Sequence, residues 1–219
     1  MQGLHYRLGM HQGNSAPIGL IADSHGKNGL LREAICMLRE RGAHYLVHLG
    51  DICDSLAPDS LREAVALLQK HAVHAVKGNN EHTIIAENYE EDLTRVSPEL
   101  MVYLRGLPAS ILRDDYCFTH SAPFAWPAAS RRPISEYLPR ILKDGRLPYR
   151  ILFRGHSHRP SVMELDGVHV KKIPAKAGTI LKLNTSRQYV ITVGAVEERS
   201  AALFLPDDYE LHFLSIGGT

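Results

Sequence analysis

The sequence predicts an α/β fold in which two mixed β-sheets face each other and helices cover their outer surfaces. In the first third of the chain, short apolar runs alternate with amphipathic helical segments, which is the βαβαβ pattern of a parallel sheet flanked by helices. Beyond Pro160, strand-like runs separated by turn residues follow one another and add antiparallel strands. With 219 residues and 44% apolar composition, the chain can bury one α/β core.

The βαβαβ core is expected between residues 18 and 76. Its two helices, over residues 28–41 and 60–70, carry apolar side chains at i, i+3, i+4 and i+7 and therefore have one apolar face. Ser60 and Glu63 have the spacing of a capping box, which should fix where the second helix begins. The three strands are mostly apolar runs at residues 18–22, 45–49 and 73–76.

The later elements follow from prolines and turn residues. A helix over residues 97–107 should stop at Pro108, and Asp114-Asp115 should join two strands as a tight hairpin. The long connection after this hairpin is expected to contain a helix at residues 134–144. The remaining strands are predicted at residues 109–113, 116–119, 150–154, 161–165, 168–173, 179–183, 188–193, 201–205 and 209–215.

Two segments are open to two interpretations each. Residues 1–16 precede the first clear strand and form an extension that is either flexible or adds an edge strand through residues 4–8. Residues 81–99 are acidic and are interpreted as a solvated surface connection, with a lid as the alternative. The remainder, residues 17–219, is predicted to form a single domain.

The composition restricts partner and compartment. A net charge of +1 provides no global field that would attract nucleic acid or a membrane. Residues 1–16 lack the apolar core of a signal peptide, and no later run approaches the roughly 18 apolar residues of a spanning helix. Cys36, Cys53 and Cys117 lack Cys-x-x-Cys spacing and are interpreted as buried reduced thiols. A cytoplasmic protein is therefore expected.

Polar residues directly follow five of the predicted strands. Ligand-binding residues of open α/β sheets lie at the carboxyl ends of strands, so these side chains should share one rim of the fold. Carboxylate and amide oxygens together with imidazole nitrogens suit divalent Mn, Fe, Co, Ni or Zn. The five segments are Asp23-Ser24-His25, Gly50-Asp51, Gly78-Asn79-Asn80-Glu81, His120 and Gly155-His156-Ser157-His158. The sequence therefore predicts a metal centre.

The order and spacing of these five segments, over residues 18 to 160, resemble the calcineurin-like metallophosphoesterase superfamily. Gly155-His156-Ser157-His158-Arg159-Pro160 is similar to that family's Gly-His-Thr-His-x-Pro motif. The tail Val193-Gly194-Ala195-Val196, followed by two strands, resembles small bacterial members described as diadenosine-tetraphosphatase-like phosphoesterases or phosphodiesterases. The resemblance implies the same two-sheet fold and a phosphoric ester hydrolase.

The resemblance also implies seven ligands for two divalent metal ions, with manganese the preferred candidate and iron, nickel, cobalt or zinc the alternatives. The first ion would be held by Asp23, His25, Asp51 and His158. The second would be held by Asp51, Asn79, His120 and His156, so that Asp51 bridges the two. Such a pair would support in-line attack of metal-bound hydroxide on a phosphodiester or phosphoanhydride bond.

One position departs from the family pattern. Where Gly-Asn-His-Glu or Gly-Asn-His-Asp is common, this chain has Asn80, which can hydrogen-bond a phosphoryl oxygen but cannot deliver a proton near neutral pH. Asp54, which often orients that histidine, must then have another partner. His82 is the candidate substitute acid, although it is also interpreted as a surface loop histidine. Asn80, Arg154 and Arg159 are the predicted substrate-binding residues, because guanidinium groups match phosphate oxygens.

The predicted substrate is a small phosphorylated molecule or a nucleotide, and a homo-oligomer is left open. One alternative is a non-catalytic scaffold, as the retromer subunit of this fold resembles, but retention of all seven ligand positions argues against it. A nuclease is a second alternative, opposed by the neutral overall charge. A protein Ser/Thr phosphatase is disfavoured, because Ser55-Leu56 follows Asp54 where that family has Arg-Gly. The remaining histidines, His48 among them, are assigned structural or surface positions.

Overall fold

Two mixed β-sheets pack face to face in the computed structural model, which describes residues 5–8, 16–90, 96–122, 147–167 and 169–217. The helices are α1 (Asn28–Glu40), α2 (Leu61–Lys70), α3 (Asn79–Glu90) and α4 (Pro98–Gly106). The strands are β1 (His5–Leu8), β2 (Ile18–Ile21), β3 (Tyr45–His48), β4 (Val73–Ala75), β5 (Ser110–Arg113), β6 (Tyr116–Thr119), β7 (Ile151–Arg154), β8 (Ser161–Asp166), β9 (His169–Pro174), β10 (Ile180–Lys182), β11 (Gln188–Thr192), β12 (Ser200–Leu205) and β13 (Glu210–Ser215).

The strand order confirms the predicted fold class. One sheet has seven strands in the order β1-β5-β6-β7-β11-β8-β9, and the other has six in the order β10-β13-β12-β2-β3-β4. Strands β2, β3 and β4 pair in parallel, as the βαβαβ pattern predicts. Strands β6, β7 and β11 form a second parallel set in the facing sheet. The parallel sets thus deliver their carboxyl-terminal loops to one rim.

The core between the sheets consists of apolar side chains from both of them. Leu20 and Val47 of the six-stranded sheet belong to the same buried cluster as Phe118 and Phe153 of the seven-stranded sheet. The rings of Phe118 and Phe153 stack with centroids 5.4 Å apart. A second cluster packs α1 and α2 against the outer surface of β2, β3 and β4. The strand ends at the rim are therefore anchored by apolar contacts on both faces of the six-stranded sheet.

Helix α2 begins where predicted but not for the predicted reason. The Ser60 side chain makes no capping hydrogen bond, and a short 3₁₀ turn, Pro58–Ser60, leads into the helix. Glu63 instead accepts hydrogen bonds from Asn28 Nδ2 at 3.0 Å and from Arg32 at 2.9 Å. The capping-box prediction is therefore wrong, because the Glu63 side chain accepts hydrogen bonds from α1 and does not cap α2.

The acidic segment that follows β4 is helical through Glu90, and its exposed residues Ala86 and Glu87 fit the interpretation as a solvated surface segment. Apolar periodicity in α3 is weak, and the described part is anchored by Glu81 and Ile84, which are buried. Residues 91–95 of this segment, and the helix predicted at residues 134–144, lie outside the described residues.

Several smaller predictions have clear outcomes. The hairpin at Asp114-Asp115 is confirmed by antiparallel pairing of β5 with β6, and β8 also pairs antiparallel with β9. Strand β1 pairs in parallel with β5 at the sheet edge, so residues 5–8 fit the edge-strand interpretation. Cys53 and Cys117 are buried free thiols, whereas Cys36 is exposed on α1 and the prediction for it is wrong. In the part of the chain that the structure describes, no helix has the length and apolar character to cross a bilayer.

Candidate metal centre

The predicted ligands converge at the rim formed by the ends of β2, β3, β4, β6 and β7. Two groups of three side chains each bring their nitrogen and oxygen atoms within metal-binding reach of one another. The first group is Asp23, His25 and His158, and the second is Asp51, His120 and His156. The structure thus places together residues that are up to 135 positions apart in the sequence.

In the first group, imidazole nitrogens and a carboxylate face a common point. His25 Nε2 lies 3.3 Å from His158 Nε2, and His158 Nε2 lies 3.6 Å from Asp23 Oδ1. Asp23 is fully buried, and both of its carboxylate oxygens accept the backbone N–H of His156, at 2.9 and 3.2 Å. This contact fixes the Gly155–His158 loop against the end of β2.

In the second group, His120 is oriented by the backbone. Its Nδ1–H donates to Leu49 O at 2.8 Å, and burial lowers the pKa of the ring to about 4, so the neutral imidazole presents an unprotonated Nε2. That Nε2 lies 2.9 Å from Asn79 Oδ1 and 3.5 Å from Asp51 Oδ2, so three electron-pair donors meet. His156 Nδ1 approaches Asn79 Oδ1 to 3.0 Å.

Asp51 lies between the two groups. Its Oδ2 is 3.8 Å from His25 Nε2 in the first group and 3.5 Å from His120 Nε2 in the second. Its Oδ1 accepts the backbone N–H of Asn80 at 2.9 Å. One oxygen therefore faces both groups, while the backbone of the next loop holds the other.

The donor set fits two divalent cations. Carboxylate oxygens, an amide oxygen and imidazole nitrogens converge there, and these are the ligand types that Mn, Fe, Co, Ni and Zn accept. Each group contains one carboxylate, and Asn79 Oδ1 adds an uncharged oxygen to the second group.

The charges of the two carboxylates are coupled. Burial, followed by the negative charge of Asp51, raises the pKa of Asp23 well above its usual value. Burial also acts to raise the pKa of Asp51, but His120 and the backbone N–H of Asn80 outweigh it, and the pKa of Asp51 is lowered. The charge of Asp51 thus disfavours ionisation of Asp23, and positive charge between the two carboxylates would relieve the repulsion.

The backbone at the rim adopts an unusual conformation. Among the described residues, nine non-glycine residues have a positive φ, and five of these are predicted ligands. Left-handed backbone costs free energy for residues with a Cβ and persists only where the surrounding structure enforces it. The five are Asp23 (φ 51°), His25 (φ 42°), Asp51 (φ 55°), His156 (φ 71°) and His158 (φ 55°).

Two glycines allow the ligand loops to approach one another. A Cβ on Gly50, whose φ is +87°, would lie 2.7 Å from Gly78 N and 2.9 Å from His120 Nδ1. A Cβ on Gly78 would clash with Asp51 Oδ1. The Gly-Asp and Gly-Asn pairs in the sequence therefore reflect backbone contact between the loops after β3 and β4.

Glu81 is a buried residue whose importance the sequence analysis missed. Its Oε2 accepts the N–H groups of Gly78 at 2.7 Å and Asp51 at 3.0 Å, and its Oε1 accepts the N–H of Ile52 at 2.8 Å. Burial and the charge of Asp51 raise the pKa of Glu81 to about 7. This carboxylate therefore ties the loop after β3 to the loop after β4. The sequence indicates Glu81 only through its place in Gly78-Asn79-Asn80-Glu81, a segment expected at the rim, and gives no sign of its backbone partners.

The three predicted catalytic residues lie on the loop after β3 and in the first turn of α3, in different environments. Asn80 is buried, its Oδ1 accepts the N–H of Ser55 at 2.9 Å, and its side chain also hydrogen-bonds to the Asp51 carboxylate. Asp54 Oδ1 accepts the N–H of Leu56 at 2.9 Å, which identifies the partner it has in place of a histidine. His82 lies on α3 and is half-buried, so its interpretation as a surface loop residue is wrong. Their catalytic roles stay predictions.

The two predicted substrate-binding arginines differ in exposure. Arg154 is buried; its Nε donates to Ser121 O at 2.9 Å, and its second nitrogen contacts the hydroxyls of Ser157 and Thr192. Arg159 is exposed on the loop after β7. The guanidinium of Arg154 therefore holds the loops after β6 and β7, whereas Arg159 is accessible to solvent.

His48 has the structural position that was assigned to it. It is fully buried beneath the rim, and burial lowers its pKa to about 3, so the ring is neutral. Its Nε2 lies 2.9 Å from Ser24 Oγ, and that hydroxyl donates to Ile52 O at 2.9 Å. The pair connects the loop after β2 to the loop after β3.

A sandwich of two mixed sheets, with carboxylates and imidazoles converging at the strand ends, defines the class of two-metal hydrolases. The profile of the calcineurin-like phosphoesterase superfamily domain matches residues 17–199. The chain therefore belongs to the calcineurin-like phosphoesterase superfamily and is a metal-dependent phosphoric ester hydrolase by class.

Solved structures agree in fold. A metallophosphoesterase from Sphaerobacter thermophilus is 22% identical, with a TM-score of 0.70 and coverage of 94% of this chain and 90% of that one. A candidate diadenosine tetraphosphatase is 14% identical, with a TM-score of 0.59 and coverage of 100% of both chains. No curated protein sequence matches this chain.

Proposed function

We propose that the chain is a two-metal phosphoesterase that hydrolyses a phosphodiester or phosphoanhydride bond of a small phosphorylated molecule or nucleotide. The observation that carries the proposal is the position of Asp51 Oδ2, within 3.8 Å of a histidine of each group. A bridging carboxylate can hold two cations about 3.5–4 Å apart, the separation found in two-metal phosphatases. We take the seven predicted ligands as the set that holds them, with manganese the first candidate metal.

The proposed reaction would depend on the two cations, on the ligands that hold them and on the residues that hold the ligand loops. When bound, the two cations would activate a water molecule and neutralise the developing charge on the phosphoryl group. The neutral imidazoles add ligands without cancelling cation charge, and Asn79 adds an uncharged oxygen on the side of the second cation. Glu81, Arg154 and the Ser24–His48 pair hold the ligand loops in position, so that little reorganisation is needed when substrate binds.

The proposal is tested by metal content together with activity. Protein dialysed against a chelator, reloaded with Mn²⁺ and freed of excess metal should retain two equivalents per chain by elemental analysis. It should then hydrolyse members of a panel of nucleotides, dinucleoside polyphosphates and model diesters. Retention of no divalent metal, together with an inactive panel, would favour the non-catalytic scaffold.

The leaving group should decide which esters are cleaved. Asn80 carries no acidic proton, so a leaving group of high pKa would depart without protonation, and a positioned acid typically contributes about 10²–10⁴-fold. We expect kcat/KM to fall steeply as leaving-group pKa rises, which favours anhydrides and aryl diesters over alkyl esters. The measurement is a series of diesters of graded leaving-group pKa, with solution hydrolysis by hydroxide as the reference.

His82→Asn tests whether His82, the remaining candidate acid, protonates the leaving group. If His82 does not donate a proton, the variant should show the same slope against leaving-group pKa as the wild-type protein. A shallow wild-type slope that becomes steep in His82→Asn would contradict this expectation and assign the acid to His82.

Arg159 should bind substrate phosphate, whereas Arg154 should not. Charged hydrogen bonds contribute about 1.5–3 kcal/mol, so Arg159→Ala should raise KM about 10-fold or more while kcat and metal content change little. The control is Arg187→Ala, because Arg187 lies at the opposite end of β11 and pairs with Asp166. An unchanged KM in Arg159→Ala would assign Arg159 to the solvated surface.

Arg154→Lys provides the contrasting result. Lysine keeps the charge but cannot reach Ser121, Ser157 and Thr192 together, so we expect a lower midpoint of thermal unfolding with a nearly unchanged KM. A KM effect as large as that of Arg159→Ala would instead support the substrate-binding role of Arg154.

The cytoplasmic location and the absence of a nucleic-acid partner remain proposals that rest on composition. We keep the small-molecule substrate as the primary proposal, because the neutral net charge offers no attraction to a polyanion.

A further inference from the structure

One carboxylate near the first group belongs to neither predicted ligand set. Glu197 lies in the turn between β11 and β12, and its Oε1 is 3.0 Å from His158 Nδ1. The same oxygen is 3.8 Å from His25 Nε2. The Glu197 side chain is 25% exposed and that of His158 is 33% exposed, so their contact lies on the solvent side of the first group.

The backbone places Glu197 firmly in this position. Val196 N–H donates to Ala22 O at 2.8 Å, and Glu197 N–H donates to Asp23 O at 3.3 Å, so the turn continues the hydrogen bonding at the end of β2. Ser200 N–H donates back to Ala195 O at 2.9 Å and closes the turn. The position of the carboxylate therefore follows from the same strand end that positions Asp23.

The two nitrogens of His158 face different partners. Nδ1 faces Glu197 at 3.0 Å, while Nε2 faces Asp23 and His25, at 3.6 and 3.3 Å. A carboxylate can only accept, so this contact places the imidazole proton on Nδ1 and leaves the Nε2 lone pair directed into the first group. Histidines that bind metals commonly donate their other N–H to a carboxylate, which fixes the tautomer and the ring orientation.

We propose that Glu197 is a positioning residue of the first group, which holds His158 in the Nδ1–H tautomer with Nε2 directed at the cation. This inference rests on the proposed two-metal function. It adds a residue that follows β11, from a part of the chain that contributes no predicted ligand. Glu197 also adds negative charge beside the first group, which favours a cation there.

The first test is metal affinity, measured by calorimetric titration of chelator-treated protein with Mn²⁺. Loss of an outer partner of a metal-binding histidine typically costs 10–100-fold in affinity, so Glu197→Ala should weaken one of two binding events by about that factor and leave the other unchanged. Glu197→Gln keeps an acceptor oxygen and should lose less. Glu198→Ala is the matched control, because Glu198 is the exposed neighbour and carries the same charge.

The second test measures the tautomer of His158 directly and needs no metal. Long-range ¹H–¹⁵N correlation spectra of the metal-free protein should show His158 protonated at Nδ1 in the wild type and shifted toward the other tautomer in Glu197→Ala. Unchanged affinity with an unchanged tautomer would overturn the inference, as would equal weakening by Glu198→Ala. If the wild-type protein itself binds no cation, the proposed function fails, which is a different result from failure of the Glu197 variants alone.

Discussion

Asp51→Asn is expected to remove at least one of the two retained cation equivalents and to lower turnover by more than about 100-fold, the upper end for residues that only orient metal ligands. Asp51 Oδ2 faces a histidine of both groups, so its charge is shared by two coordination shells. An amide keeps the shape but removes that charge from both. The measurement is elemental analysis after dialysis, together with steady-state kinetics on the best diester.

Asp59→Asn is the matched control, because Asp59 is exposed in the 3₁₀ turn before α2 and contacts no predicted ligand in the described structure. It should retain both equivalents and normal turnover. Circular dichroism of both variants checks that the fold is kept. Two retained equivalents with normal turnover in Asp51→Asn would show that Asp51 does not bridge two cations.

Substitution of Glu81 should have the largest effect on stability. Its two oxygens accept three backbone N–H groups in a fully buried position. Each buried donor left without a partner costs about 1–3 kcal/mol, so Glu81→Ala should lose at least about 3 kcal/mol of the free energy of unfolding. Glu81→Gln keeps one acceptor oxygen but turns an amide N–H₂ toward a backbone donor, and should lose about 1–3 kcal/mol.

Urea unfolding of the metal-free protein measures both variants without a contribution from bound cations. Glu87→Gln is the control, because Glu87 is an exposed glutamate on the same helix, α3. If Glu81→Gln unfolds at the wild-type urea concentration, the three backbone contacts do not hold the two loops together. If Glu81→Ala fails to fold, Glu81→Gln still decides the question.

Much of the fold could be predicted because its signals are local. The apolar runs at 18–22 and 45–49 are long enough to identify buried strands, and Asp114-Asp115 identifies a hairpin by turn chemistry alone. Helix α3 was missed because its apolar periodicity is weak, and because Glu81 in its first turn binds the N–H groups of Asp51 and Ile52, 30 and 29 residues away, as well as that of nearby Gly78. The capping box failed for a similar reason, since Glu63 has partners on α1 that local spacing does not reveal.

The residues that face the rim of the candidate site could be predicted from the sequence, whereas the contacts that hold these residues in position could not. The residues that face the rim follow strands directly, so their convergence follows from topology. The residues that hold them, such as Glu81, Arg154 and Glu197, act through backbone groups or through a histidine far away in the sequence. No periodicity marks such contacts. They become visible only when the loops are placed in space.

The left-handed backbone of the five rim residues has an evolutionary consequence. Glycine would adopt these φ angles with less strain, so selection for stability alone would tend to replace aspartate and histidine there. Such a chain would fold more readily and would lose the electron-pair donors that define its chemistry. The rim is thus a place where thermal robustness and reactivity are in direct conflict. A stabilised version of this scaffold is best sought by substitutions elsewhere, with these five positions held fixed.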